Sequence, residues 1–177
     1  MSDEVSASSH AGLRRPLRLA VLGSGHGSNL EAIIEAIDAG VLRAEVVTVI
    51  SDRPDVRILD VARRAGIPAM ALEANPYSET GLLVQLANHA ADLVVLAGYM
   101  RIIKRPMLDA WPRRNLNTQP SLLPMYPGLK ARQQALDDGA SETGCTVHLV
   151  DRGVDTGPVL GQAEVPILPD DDGATLH

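Results

Sequence analysis

Two short segments of the chain hold residue types that can do chemistry. The first is Gly23-Ser24-Gly25-His26-Gly27-Ser28-Asn29, between an apolar run and a helical pattern. Its glycines leave backbone N–H groups uncovered at a helix start, where the positive end of the dipole attracts anions, so the segment predicts a phosphate site. A tight strand–helix turn would also use glycine, but Ser28 and Asn29 beside it favour ligand contact. Counting G-x-G-x-x-G from Gly23 puts Ser28 at the third glycine, and counting from Gly25 puts Leu30 there, so the dinucleotide fingerprint fails in both registers. The G-K-[ST] of a triphosphate loop is missing too. A monophosphate, such as a sugar phosphate, fits best.

The second segment is Asn117-Thr118-Gln119-Pro120-Ser121-Leu122-Leu123-Pro124, followed by Tyr126-Pro127-Gly128. Prolines at this density fix the backbone outside helix and strand. A rigid surface loop would read the same way, but this one follows a predicted strand end and offers two carboxamides at spacing two. A carboxamide N–H aimed at a developing oxyanion stabilises it by about 3–4 kcal/mol. It cannot give up a proton near neutral pH.

The elements that must position these residues follow from the hydrophobic pattern. Runs rich in Val, Leu and Ile at 17–23, 45–51, 67–72 and 92–97 predict strands, and helical spacing predicts helices over 29–39, 56–65 and 78–90. Strands apolar on both faces, alternating with helices, predict an α/β fold with a doubly wound, mostly parallel sheet. Ligands in such sheets sit beyond the carboxyl ends of the strands, which directs attention to the loops after Leu22, Ile50, Leu96 and Leu116. No linker or repeat divides 17–177, which reads as one domain; 1–16 reads as a disordered tail. Residues 169–173 read as a loop entering a helix start, where acids favour the dipole, so the domain is expected to lack its C-terminal helix.

Composition removes several classes of function. The chain has 177 residues, a net charge of −6, one Trp, three Tyr and no Phe. The charge provides no general field for a nucleic-acid backbone, and so few aromatics leave no platform for stacking bases. Cys145 alone excludes an internal disulfide and a cysteine zinc site. No run approaches a membrane span and residues 1–16 lack a signal-peptide core, so the expected location is the cytoplasm.

Four ordered motifs then carry a resemblance: Gly25-His26-Gly27-Ser28-Asn29, Ala97-Gly98-Tyr99-Met100-Arg101-Ile102-Ile103, Pro120-Ser121-Leu122-Leu123-Pro124 and Val154-Asp155-Thr156-Gly157-Pro158. Across 17–177 the sequence resembles the formyltransferases that use 10-formyltetrahydrofolate, in the branch of purine biosynthesis that formylates the amine of phosphoribosyl glycinamide. The resemblance implies a Rossmann-like formyltransferase fold in which Gly27, Ser28 and Asn29 hold the phosphate. Met100, Arg101, Ile102 and Ile103 would line the folate pocket, with Asp151, Arg152, Gly153, Val154 and Asp155 beside the pteridine. Asn117 would bind the formyl oxygen, Asp155 would be the catalytic carboxylate, and His148 matches a family histidine near it. No metal is implied, and the partners are two small molecules, with a homodimer allowed.

The departures are as informative. The family's catalytic histidine falls at Gln119, a family arginine at Thr80, and two family histidines at Lys130 and Arg132, which keep positive charge without titrating near neutral pH. Gln119 implies slow chemistry in otherwise intact pockets. Two other readings stay open: a non-catalytic sugar-phosphate or folate binding protein of the same fold, which Gln119 favours, and a related folate-dependent formyltransferase. A dehydrogenase is weakened by both failed glycine registers.

Overall fold

The computed structural model describes residues 15–72, 79–173, 175 and 176. A seven-stranded sheet runs through the molecule in the order β3-β2-β1-β4-β5-β6-β7. Its parallel part is β1 (Leu17–Leu22), β2 (Ala44–Ser51), β3 (Ala69–Ala71), β4 (Leu93–Leu96) and β5 (Asn115–Gln119). β6 (Glu142–Leu149) and β7 (Val159–Pro166) then add on antiparallel. The helices are α1 (Ser28–Asp38), α2 (Arg57–Arg64), α3 (Glu79–Asn88), α4 (Arg105–Ala110) and α5 (Ala131–Asp137).

Alternation along the strands builds two cores. Ala20 and Leu22 of β1 with Val94 and Leu96 of β4 face Leu82, Leu86 and Met107 on one side. Val21 and Val95 face Leu30, Ile58, Leu59 and Ala62 on the other. Both faces of the sheet are covered, as a parallel sheet requires. With no phenylalanine, aliphatic side chains do this filling. Winding reverses at β1, which pairs with β2 on one side and β4 on the other. The crevice for ligands therefore opens beyond the carboxyl ends of β1 and β4, where the 23–29 and 97–103 loops meet.

The expected strands and helices are present, most with trimmed ends, while β2 and α1 start one residue earlier; Asn117 and Gln119 lie within β5 rather than in a loop past its end. Most of the expected disordered tail lies outside the described residues, but Arg15 is anchored: its guanidinium donates to both oxygens of Asp92, at 2.6 and 2.8 Å. The Arg18 backbone N–H adds a 2.9 Å bond to the same carboxylate. The Arg15 hydrogen bond is the main reason the Asp92 carboxyl is held down to about 2. A depressed carboxylate stabilises the fold above its unfolded pKa and loses that effect as pH falls through the folded one. With Arg15 largely in solvent, Asp92→Asn is expected to lower unfolding free energy at neutral pH by about 1–2 kcal/mol. Urea melts at stepped pH should show that gap closing between about pH 4 and pH 2.

Candidate active site

The glycine loop is shaped by what packs under it. Gly27 caps α1 with φ 85° and no side-chain bond to the helix. A Cβ there would stand 2.9 Å from Ile58 Cα. The neighbouring turn is pinned by Ile58 N–H donating to Gly25 O at 3.0 Å and by Arg57 donating to His26 O at 2.8 Å. Gly27 thus serves the backbone as well as any ligand. Gly25 has open space around its Cα and lines the cavity. Gly25→Val is therefore expected to cut affinity for a phosphate ligand at least about tenfold by blocking approach to the helix N–H groups. Folate affinity and melting temperature should stay unchanged, whereas Gly27→Val should lower all three; calorimetric titration and thermal melts separate the cases.

Asn117 and His148 are opposed residues of the antiparallel β5–β6 pair, which brings their side chains together. Asn117 Nδ2 is 3.1 Å from His148 Nε2 and 3.2 Å from Asp155 Oδ1, and those two atoms are 3.3 Å apart. The triangle is nearly equilateral, so its angle at Nδ2 is about 60°, half the spread of the two amide hydrogens. The amide nitrogen thus serves both neighbours, donating to Asp155 Oδ1 and meeting His148 Nε2. The second oxygen of Asp155 accepts the Gly128 N–H at 2.7 Å. His148 is 2% exposed, and its Nδ1 lies 2.9 Å from Leu149 O.

Gln119, 6% exposed, uses its amide nitrogen on the following turn, donating to Gly128 O at 2.9 Å and Tyr126 O at 3.3 Å. Ser121 Oγ donates to the same Tyr126 carbonyl. The turn these bonds hold has left-handed backbone at Tyr126 and Lys130, with φ of 51° and 58°, as has Asp155, at 55°, in the 150–157 loop that meets it. Gln119 clips the segment that presents Gly128 to Asp155.

Two cavities open on these groups. One, of about 570 Å³, is lined by Met100, Arg101, Ile102 and Ile103, by Asp151, Gly153, Val154 and Asp155, and by Asn117 and His148. The other, of about 650 Å³, is lined by Gly25, His26, Gly27, Ser28 and Asn29 and reaches Thr143, Cys145 and Asp171. Gly98, Thr118, Gln119, Pro120 and Arg132 line both. Arg152 is exposed and lines neither, and Thr80, on α3, is likewise outside both. Asp151 turns its Oδ1 into its own loop, accepting from Gly153 N–H and Thr156 Oγ. No group of three or more His, Cys, Asp and Glu side chains able to hold a metal occurs among the described residues.

One network had no counterpart in the sequence reading. Ser24 Oγ donates to Asp52 Oδ1 at 2.5 Å and accepts the Met100 N–H at 2.9 Å. Arg101 Nε donates to the other oxygen of Asp52 at 3.1 Å. The loops of the two cavities are thereby tied through one buried carboxylate, whose only sequence signal was its place just after β2. Asn29 makes a second tie, donating from Nδ2 to Thr118 Oγ at 3.1 Å.

Comparison with known proteins agrees with this architecture. Residues 17–177 match the family described as formyl transferase. Trifunctional purine biosynthetic protein adenosine-3 of Drosophila melanogaster is 46% identical over 170 residues, covering 92% of this chain, which spans 13% of that protein's length. Phosphoribosylglycinamide formyltransferase of Mycobacterium tuberculosis is 42% identical over 167 residues, 92% of this chain and 77% of its own. The crystal structure of glycinamide ribonucleotide transformylase 1 from Symbiobacterium toebii superposes with a TM-score of 0.88 at 44% identity, covering 93% of this chain and 80% of that one. On a match that spans the whole sheet and both cavities, the chain belongs to the formyl transferase family.

Proposed function

We propose that the chain transfers a formyl group from 10-formyltetrahydrofolate to the amine of phosphoribosyl glycinamide, and does so slowly. The observation that carries this reading is the wall shared by the two cavities at Gly98, Thr118, Gln119, Pro120 and Arg132. A transferase must bring two ligands end to end, with reacting atoms about 3–3.5 Å apart. A phosphate-anchored acceptor reaching up from Gly25–Asn29 meets at that wall a donor lying between 100–103 and 151–155. The donor cavity has the size and apolar lining usual for a ring-bearing ligand. Asn117 fits the formyl oxygen through an amide N–H, and Asp155 fits the proton coming off the amine. The reaction joins two diffusible small molecules, with no nucleic acid and no membrane, and belongs in the cytoplasm; among the described residues no helix is long and apolar enough to cross a membrane.

Slowness follows from Gln119. Its amide holds a turn and has no proton to give near neutral pH, and a positioned proton donor accelerates such a step by about 10²–10⁴-fold. The competing reading, a protein that binds both ligands without chemistry, rests on the same residue. A single-turnover experiment with enzyme in excess and isotope-labelled formyl donor decides between them. Label is expected on the glycinamide nitrogen. Binding of both ligands with no label transferred, in this chain and in Gln119→His alike, would overturn the enzyme reading.

A further inference from the structure

Proton traffic in this chain needs a group that can titrate, and Gln119 is not one. His148 is the buried imidazole that faces the same carboxylate. Its Nδ1 lies against Leu149 O, and a carbonyl can only accept, so Nδ1 carries a hydrogen in both charge states. The open valence is Nε2, which has Asp155 Oδ1 at 3.3 Å and Asn117 Nδ2 at 3.1 Å. These two neighbours make opposite demands. A neutral Nε2 accepts from the Asn117 N–H; a protonated Nε2 repels that hydrogen and donates to Asp155.

Resting on the formyl-transfer reading above, we propose that His148 is a positioning residue that holds the travelling proton with Asp155 and, on taking it up, releases an Asn117 N–H to the formyl oxygen. The step balances as follows. The amine nitrogen forms its bond to the formyl carbon, and the carbonyl electron pair moves onto oxygen. Asp155 takes the proton lost by that nitrogen and shares it with His148 Nε2. Asn117, no longer donating to Nε2, turns a hydrogen to the oxyanion. When the bond from the formyl carbon to the donor nitrogen breaks, the oxygen pair re-forms the carbonyl and the stored proton passes to the departing nitrogen. Nothing is oxidised or reduced. The negative oxygen is thereby matched in time by its hydrogen-bond donor, which a fixed amide could not do.

The charged groups around His148 are few. Asp155 faces it from the 150–157 loop. Asp151 from the same loop, Arg101 from the 98–103 loop and Lys130 and Arg132 from α5 and its cap line the same cavity. β5 opposes it with Asn117 and β7 with Val159, neither charged.

The test is a double-mutant cycle of His148→Gln and Gln119→His, with rate against pH for each protein. In the natural background His148→Gln should lower kcat at least about 100-fold, with KM for both substrates within about threefold, and change the shape of the rate–pH profile. With His at 119 offering a second proton route, the same change should cost under about tenfold. Equal losses in both backgrounds would mark a purely structural role and overturn the proposal, as would an unchanged rate. Should His148→Gln unfold, ¹⁵N spectra of labelled histidine in the unmodified protein decide instead. The Nδ1–H tautomer with Nε2 accepting is expected in the resting protein, and a fixed Nε2–H tautomer would overturn the proposal. If Gln119→His and the natural chain both bind the two ligands and neither transfers formyl, it is the formyl-transfer reading that has failed.

Discussion

Gln119→His is expected to raise the rate constant of formyl transfer by about 10²–10⁴-fold, or about 3–5 kcal/mol of barrier. The structure leaves room for this gain. A histidine can keep the stronger of the two bonds made by Gln119, to Gly128 O at 2.9 Å, and give up the longer one to Tyr126 O at 3.3 Å. Ser121 still donates to that second carbonyl at 3.0 Å, so the turn stays held. The imidazole's other nitrogen then faces the wall between the two cavities. The gain should fall on kcat and leave KM nearly unchanged, because the cavity linings do not alter. It should also add to the rate a dependence on pH around 6.5 or above, the range of a histidine near a carboxylate. Initial rates across pH for both proteins check it. A histidine variant that binds both ligands and is no faster at any pH would mean that position 119 does not serve proton transfer.

The second large effect is a loss. Asn117→Ala is expected to lower kcat by about 10²–10³-fold, the usual consequence of removing one oxyanion donor. Its amide nitrogen also touches both His148 and Asp155, so the variant leaves that pair, 3.3 Å apart, without its third partner. Substrate affinity should change little, since the donor is needed most when charge has developed on oxygen. Stopped-flow formyl transfer with calorimetric binding of each ligand separates the two quantities. A tenfold or larger loss of donor affinity at unchanged kcat would reassign Asn117 to ground-state binding.

The parts of this molecule legible from sequence were those written in apolar side chains. The run at 93–96 has no polar interruption and that at 17–22 only Arg18, and they lie at the heart of the sheet. β6 and β7 were not legible in that way. β6 mixes Glu142, Thr143, Cys145, Thr146 and His148, and β7 is exposed along its whole length, so neither shows an apolar run. α5, seven residues with Ala131 and Ala135 buried, is too short for a periodic signal. At the site, the glycine loop and the proline segment stood out by composition. Asp52 did not, because a lone acid after a strand looks like any turn residue; only the tertiary approach of Ser24 and Arg101 gives it a task. His148 was visible as a histidine but not as the partner of Asn117, which depends on the antiparallel register of β5 with β6.

The left-handed backbone at Tyr126, Lys130 and Asp155 sets durability against turnover. Residues with a Cβ pay about 1–2 kcal/mol for that conformation, aspartate less than the others, while glycine adopts it freely. Selection for heat tolerance alone would push all three positions toward glycine or asparagine. At Tyr126, whose backbone carbonyl is what the turn uses, that drift would cost only the side chain's hydrogen bond to Asp138. At Asp155 the same drift would delete the carboxylate together with its bonds to Gly128 N–H and Asn117, so the backbone relief is offset and the group that turnover needs is lost. In lineages of this protein adapting to warmer conditions, replacements should therefore accumulate at 126 before 155, and a glycine at 155 would mark a lineage released from the demand for turnover.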